Sequence, residues 1–177
     1  MSVTGESLET MSQFASLHAT VVRTAEQPFA GGDPSASTRF VATSAQTRND
    51  FGLFEYRLAP GGGGPGPHYH AGFSETFYVL DGELAVLDGH DWTIAGAGDL
   101  VYVPRHGVHG FRSVAEDVGA RFLILFTPGI PREDYFTGLL QARADGRTPT
   151  QEEIDEFARR HDQVNLHDWT SGPFPQR

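Results

Sequence analysis

The chain has 177 residues, 23 Asp+Glu against 13 Lys+Arg, a formal net charge of −10 at pH 7 and no cysteine. This length suits one domain with a sizeable core rather than two, and the acidic balance, with no basic run, argues against nucleic acid or an anionic membrane surface as a partner. The missing thiols exclude a disulfide framework, a thiolate nucleophile and sulfur ligation of any metal.

Hydrophobic residues at 38% and aromatic residues at 11%, 13 Phe among them, point to a folded core built on rings. No apolar run approaches the roughly 18 residues of a spanning helix, and the first segment lacks a basic start followed by an apolar stretch, so a soluble cytoplasmic protein is expected. In residues 1–20, Leu8, Met11, Phe14, Ala15 and Leu17 recur at helical spacing, which fits either a short amphipathic helix or a frayed terminus. Residues 27–37 carry two Pro and two Gly and read as a surface loop, so 1–37 form an N-terminal extension leading into the main body.

From Thr38 strand signals recur over 39–43, 51–58, 73–80, 83–87, 91–94, 100–103, 108–112 and 121–126. Gly-, Pro- and Asp-bearing turns divide them, and no helical pattern intervenes. Many short strands at regular spacing predict an all-β antiparallel sandwich or barrel over 38–127. Phe54, Tyr56 and Leu58 give the strand over 51–58 one apolar face, and its mixed face, with Glu55 and Arg57, could border a cavity. The continuous run Phe122, Leu123, Ile124, Leu125, Phe126 reads as a central strand covered on both sides.

Residues 128–177 are expected to form a helical extension packing on the barrel. Pro131, Glu133 and Asp134 favour a helix N-terminus, Tyr135, Phe136, Leu139 and Leu140 give that helix an apolar stripe, and Gly146 stops it. Thr150 and Glu153 form a capping-box pattern that opens a second helix with Ile154, Phe157 and Ala158 on one face. The two helices would cover a barrel end or a subunit contact. The tail from Asn165 is expected to be irregular and pinned by Trp169 and Phe174.

Chemistry concentrates after the Gly/Pro-rich run that ends at Pro67, where His68, His70 and Glu75 fall within eight positions. Side chains two apart in an extended chain share a face, so both imidazoles can converge on one ion. Glu75 breaks that parity and needs a bend, which Ala71-Gly72 supplies before the alternation Phe73, Glu75, Phe77, Val79 carries the carboxylate inward. An unpaired carboxylate among rings would cost several kcal/mol, roughly, and a divalent cation removes that cost.

The spacing of Gly62, His68, His70, Glu75 and Gly82 resembles the first motif of the cupin superfamily. Gly98, Pro104 and His109 match its second motif, with His106 where the family has Gly and Ser113 where it has Asn. The resemblance spans about 38–127 and implies a double-stranded β-helix (jelly-roll) barrel with short C-terminal helices. It also implies His109 as a fourth ligand beside His68, His70 and Glu75, and a homodimer, for which exposed sheet edges and the apolar stripe of the first helix give a physical motive. Within that superfamily the four ligands, and a strand ending in Thr127-Pro128-Gly129 before a Phe-bearing helix, resemble small single-domain bacterial quercetinase-type dioxygenases.

That likeness implies a metal-dependent dioxygenase acting on an enolisable or aromatic, flavonol-like small molecule. A non-redox cyclase or isomerase and a binding barrel without turnover stay open, because the barrel hosts all of these. Three neutral imidazoles and a carboxylate suit one divalent transition metal, whether Fe, Mn, Ni, Co or Zn. Such a centre carries a net charge near +1, favours an anionic oxygen, and leaves Glu75 as the nearest group to accept a substrate proton.

Other residues read structurally or stay divided. His106 sits in a turn, with an acid/base role as the lesser alternative, while His18, His90, His161 and His167 lie in polar or terminal segments and are expected to be exposed. The glycines 61–64 lack the following Lys-Ser/Thr of a phosphate-cradling loop and are read as a tight approach to the first ligand strand. Tyr69 alternates away from the histidines. Phe73, Phe77, Tyr78, Tyr102 and Phe111 either line an aromatic-binding cavity or pack the barrel.

Overall fold

Two five-stranded antiparallel sheets face one another in a computed structural model that describes residues 19–27, 29–30, 36–144 and 149–175. The strands are β1 (Ala36–Ala42), β2 (Gly52–Leu58), β3 (His68–Tyr69), β4 (Ser74–Asp81), β5 (Glu83–Asp88), β6 (Trp92–Gly96), β7 (Leu100–Val103), β8 (His109–Ser113), β9 (Ala120–Thr127) and β10 (Val164–Asn165). One sheet runs β1-β2-β9-β4-β7 and the other β10-β3-β8-β5-β6. The chain crosses repeatedly from sheet to sheet, and the result is a double-stranded β-helix.

Alternation sets the interior. In β4, Glu75, Phe77 and Val79 are buried while Tyr78 is exposed, and Phe73, just before the strand, is buried with them. Phe54, Phe73, Phe77, Phe122 and Phe126 are wholly or almost wholly buried, and edge-on contacts such as Phe54 to Phe126 at 5.5 Å lock their rings. The turn from β4 into β5 requires Gly82: its φ is +73°, and a Cβ there would stand 2.2 Å from the Gly119 carbonyl oxygen. Strand β9 is central, between β2 and β4, as its apolar run predicts. Phe122, Ile124 and Phe126 face the core, while Leu123 and Leu125 are half-buried on the outer side.

Several expectations are corrected. The mixed face of β2 does not border a cavity. Glu55 is buried there in a charge cluster, hydrogen-bonded to Arg39 and 3.6 Å from both Arg57 and Arg121, while Tyr56 from the apolar face lines the cavity described below. Tyr78 and Tyr102 do not line the barrel interior: with Leu100 they stand exposed on the outer face of the β4–β7 pair. Helix α1 (Glu133–Ala144) turns Tyr135 and Phe136 into the protein's own core, so these two residues do not form a subunit contact. The Leu139 and Leu140 side chains, Gly146 and the apolar positions of residues 8–17 lie outside what is described.

Helix α2 (Gln151–Arg160) opens with the predicted capping box, in which Thr150 accepts from the Glu153 amide and the Glu153 carboxylate accepts from the Thr150 amide. The chain then adds β10 to the edge of β3, pairing Val164 with Tyr69 and Asn165 with His68. The C-terminal extension therefore covers the strand that carries His68 and leads into His70. Beyond it, Trp169 stacks on His90 at 5.1 Å and Phe174 packs against Trp92 and Arg112, so rings pin the tail as predicted.

Candidate metal centre

The bend after His70 and the register of β3 on β8 create the site. His68 faces His109 directly across that pair, and Glu75 enters from β4 in the opposite sheet. His68, His70, Glu75 and His109 are all buried, and their potential ligand atoms lie within 4.8 Å of one another. His68 Nε2 is 3.2 Å from His70 Nε2, and Glu75 Oε2 is 3.1 Å from His70 Nε2 and 2.8 Å from His109 Nε2. These separations fit the edges of a coordination shell with bonds of about 2.1 Å.

The outer nitrogens decide what the inner ones can do. Nδ1 of His68 lies 2.9 Å from the Gly66 carbonyl, Nδ1 of His70 2.5 Å from that of Asp162, and Nδ1 of His109 3.0 Å from that of Gly107. A carbonyl can only accept, so each Nδ1 carries a proton and each neutral imidazole turns an Nε2 lone pair inward. Two lone pairs facing at 3.2 Å, with a carboxylate beside them, repel unless a cation sits between. Burial, with His109 and His70 nearby, pushes the His68 imidazole well below the usual histidine range, so it stays neutral. Burial alone would raise the Glu75 carboxyl, but the imidazole edges of His109 and His70, 2.8 and 3.1 Å from Oε2, outweigh it and hold the group well below the usual range, as an anion. The donor set therefore fits a divalent metal ion.

A second layer, which the sequence reading missed, comes from the C-terminal extension. Besides accepting from His70, Asp162 uses its carboxylate to bind the amides of Ala71 and Gly72, at 3.3 and 2.6 Å, and so holds the bend that Glu75 needs. Arg132 is buried, donates to the His161 carbonyl at 2.5 Å and, at 3.4 Å, to Gln163 Oε1, and lies 3.9 Å over the Tyr135 ring. Its Nε has no partner, and it forms no ion pair among the described residues. No spacing motif marks Arg132, Asp162 or Gln163. A clue lay in Arg132 standing beside the Tyr135–Phe136 stripe, where a long cation can cover rings.

His106 has φ +64° and an exposed side chain, so the turn reading accounts for it. Its amide donates to the His70 carbonyl at 2.7 Å. Ser113 is buried and closes the following loop by donating to the Val118 carbonyl at 3.0 Å. His161, expected to be exposed, is instead partly buried between the rings of Tyr135 and Phe157. His90 and His167 are exposed, while His18 lies outside the described residues.

A cavity of about 510 Å³ opens between the 63–67 loop and α2. Tyr56, Tyr135 and Phe157 supply rings, Gln163 and Asn165 supply polar groups, and none of the four candidate ligands lines it. Tyr135, which lines it, and Arg132, which lies over the Tyr135 ring, both feel the Glu75 charge.

Residues 54–126 match the model of the family described as "Cupin domain". An uncharacterized protein of Streptomyces coelicolor is 35% identical over 54 residues, which is 30% of this chain and 50% of that protein, so the chain matches about half the length of this curated relative. Among solved structures, KdgF from Halomonas sp. superposes with a TM-score of 0.55 at 22% identity, covering 64% of this chain and 96% of that one. An RmlC-like cupin from Shewanella frigidimarina gives 0.54 at 21%, covering 67% and 96%. The polyketide cyclase RemF from Streptomyces resistomycificus gives 0.51 at 23%, covering 62% and 80%. Likenesses this distant speak to the fold alone. The matched stretch runs from within β2 to within β9 and holds all four inward-facing candidate ligands, and the match and the fold together support the cupin resemblance of this barrel.

Proposed function

We propose that the protein is a metal-dependent enzyme of dioxygenase type acting on an enolisable or aromatic, flavonol-like small molecule. The observation that carries this reading is the convergence of three tautomer-fixed Nε2 atoms and Glu75 Oε2 in the buried interior. A divalent ion held there by His68, His70, Glu75 and His109 would supply Lewis acidity and, if redox-active, access to dioxygen. The chain's own groups do the rest. Phe73 stacks on His70 at 4.3 Å and, with Phe77 and Phe126, excludes water. Buried Arg132 adds positive charge 5.6 Å from the Phe73 ring centre and favours a substrate in its anionic form. Glu75, the one anionic ligand, is placed to take the substrate proton at a carboxylate oxygen.

The test is elemental analysis of protein purified without added metal, followed by oxygen uptake with flavonols, dihydroxy-aromatics and diketones after reconstitution with Fe, Mn, Ni or Co. Bound Fe, Mn or Ni with oxygen uptake is expected. Bound Zn with no uptake moves the assignment to a non-redox cyclase or isomerase, and no bound metal moves it to a binding barrel. The same reading includes a homodimer, supported by β7, a sheet edge with a single neighbour, and by Tyr78, Leu100 and Tyr102 on its outer face. A monomer mass by light scattering at high micromolar concentration would remove that part.

A further inference from the structure

We propose that the cavity between the 63–67 loop and α2 binds a flat aromatic molecule carrying one anionic oxygen, and that the Tyr135 hydroxyl, positioned by the Gln163 amide, receives that oxygen. The proposal rests on the reading above and adds to it the groups that select the substrate. All of its polar floor lies outside the 54–126 match, so selection comes from the C-terminal extension and not from the shared barrel.

Size and lining set the class. A volume of about 510 Å³ accommodates a two- or three-ring molecule. Tyr56, Phe157, Ile154 and Trp169 offer ring faces and apolar edges, while the 63–67 backbone forms a side-chain-poor wall against which a planar molecule can lie. Gly64 is part of that wall by necessity, since a Cβ there would meet the Phe111 ring at 2.3 Å.

Polarity sets the orientation. Gln163 is buried, its Oε1 faces Arg132, its Nε2 donates to Asn165 Oδ1 at 3.0 Å and the amide also hydrogen-bonds the Tyr135 hydroxyl, so it is held in one orientation. Burial pushes the Tyr135 hydroxyl above the usual tyrosine range, and Arg132 stands beside it, so it remains a proton donor. The lining thus presents the Tyr135 hydroxyl as a donor, backed by a guanidinium that has no ion-pair partner among the described residues. Donors backed by positive charge select an acceptor, best an anionic one such as an enolate, phenolate or carboxylate.

Isothermal titration calorimetry on the full chain with its metal tests this, using 2-naphthoate and neutral 2-naphthamide as probes. The parent should bind naphthoate about tenfold more tightly than naphthamide, since a hydrogen bond to a charged group is the stronger kind. Tyr135→Phe should cut naphthoate affinity about tenfold and naphthamide affinity by less than about threefold, with metal content unchanged. Ile154→Trp, at a partly exposed lining position that tolerates bulk, should abolish binding of both probes. Equal affinity of the parent for the two probes, a Tyr135→Phe protein that keeps its preference for the anion, or an Ile154→Trp protein that binds as the parent does would each overturn the proposal. Absence of oxygen uptake bears on the dioxygenase reading alone, and unaltered probe binding in the variants bears on the cavity alone.

Discussion

His70 and Asp162 stand 92 positions apart, yet one hydrogen bond of 2.5 Å from His70 Nδ1 to the Asp162 carbonyl fixes the imidazole, while the Asp162 carboxylate holds the bend just after it. Asp162 has φ +54°, a left-handed conformation that Asn and Gly also accept. Asp162→Asn should keep its bond to the bend and bind metal about as the parent does. Asp162→Gly should keep the backbone geometry but lose both side-chain bonds, with about tenfold weaker metal binding in a chelator competition. Equal affinity for parent and Asp162→Gly would show that the bend needs no support from the C-terminal extension.

His70→Ala and His109→Ala should each lose stoichiometric metal by elemental analysis, because each removes an inward lone pair from a set of four buried ligand atoms. His106→Ala is the control. Its side chain is exposed, so the variant should keep its metal, with a modest loss of stability because alanine tolerates φ +64° less well than histidine.

The barrel was legible because its strands alternate and its turns carry Gly, Pro and Asp, and His68, His70, Glu75 and His109 were legible through spacing. Asp162, Gln163 and Arg132 were not. Two of them act partly through backbone neighbours: a main-chain carbonyl holds His70, and the His161 carbonyl holds Arg132. Any residue type supplies a carbonyl, so side-chain patterns carry no trace of such contacts. The exposure of Tyr78 and Tyr102 escaped for a related reason, since alternation tells which residues share a face but not which face is inside.

Folding stability should depend on pH through His161. Burial, with Arg132 and Arg160 nearby and only Asp134 opposing them, holds its imidazole below the usual histidine range in the folded protein. Above the unfolded value of about 6.5 both states are neutral and the full stability is present. As pH falls below that value the unfolded chain takes up a proton that the folded one resists, so stability declines until pH reaches the folded value. His161→Asn should therefore lose less stability than the parent between pH 7.5 and 5.5, measured as the shift in urea midpoint. An identical loss in both proteins would rule out this contribution.

Glu75→Gln separates proton transfer from metal binding. The amide can occupy the place of the carboxylate and offer one oxygen to a metal, but it cannot take a proton at neutral pH. It also removes the single negative charge from a set that otherwise has three neutral imidazoles, so metal affinity should fall about tenfold or more without vanishing. Assays at saturating metal then isolate the chemical role. With Glu75 as the base, turnover should drop by about 10²-fold or more, in the range that a positioned general base contributes. A metal-loaded Glu75→Gln protein with the parent's rate would keep the centre and reassign the proton. Asp162 is committed to two amides, and the Tyr135 hydroxyl, already protonated, can act only as a donor, so the exposed His106 would be the next group to vary.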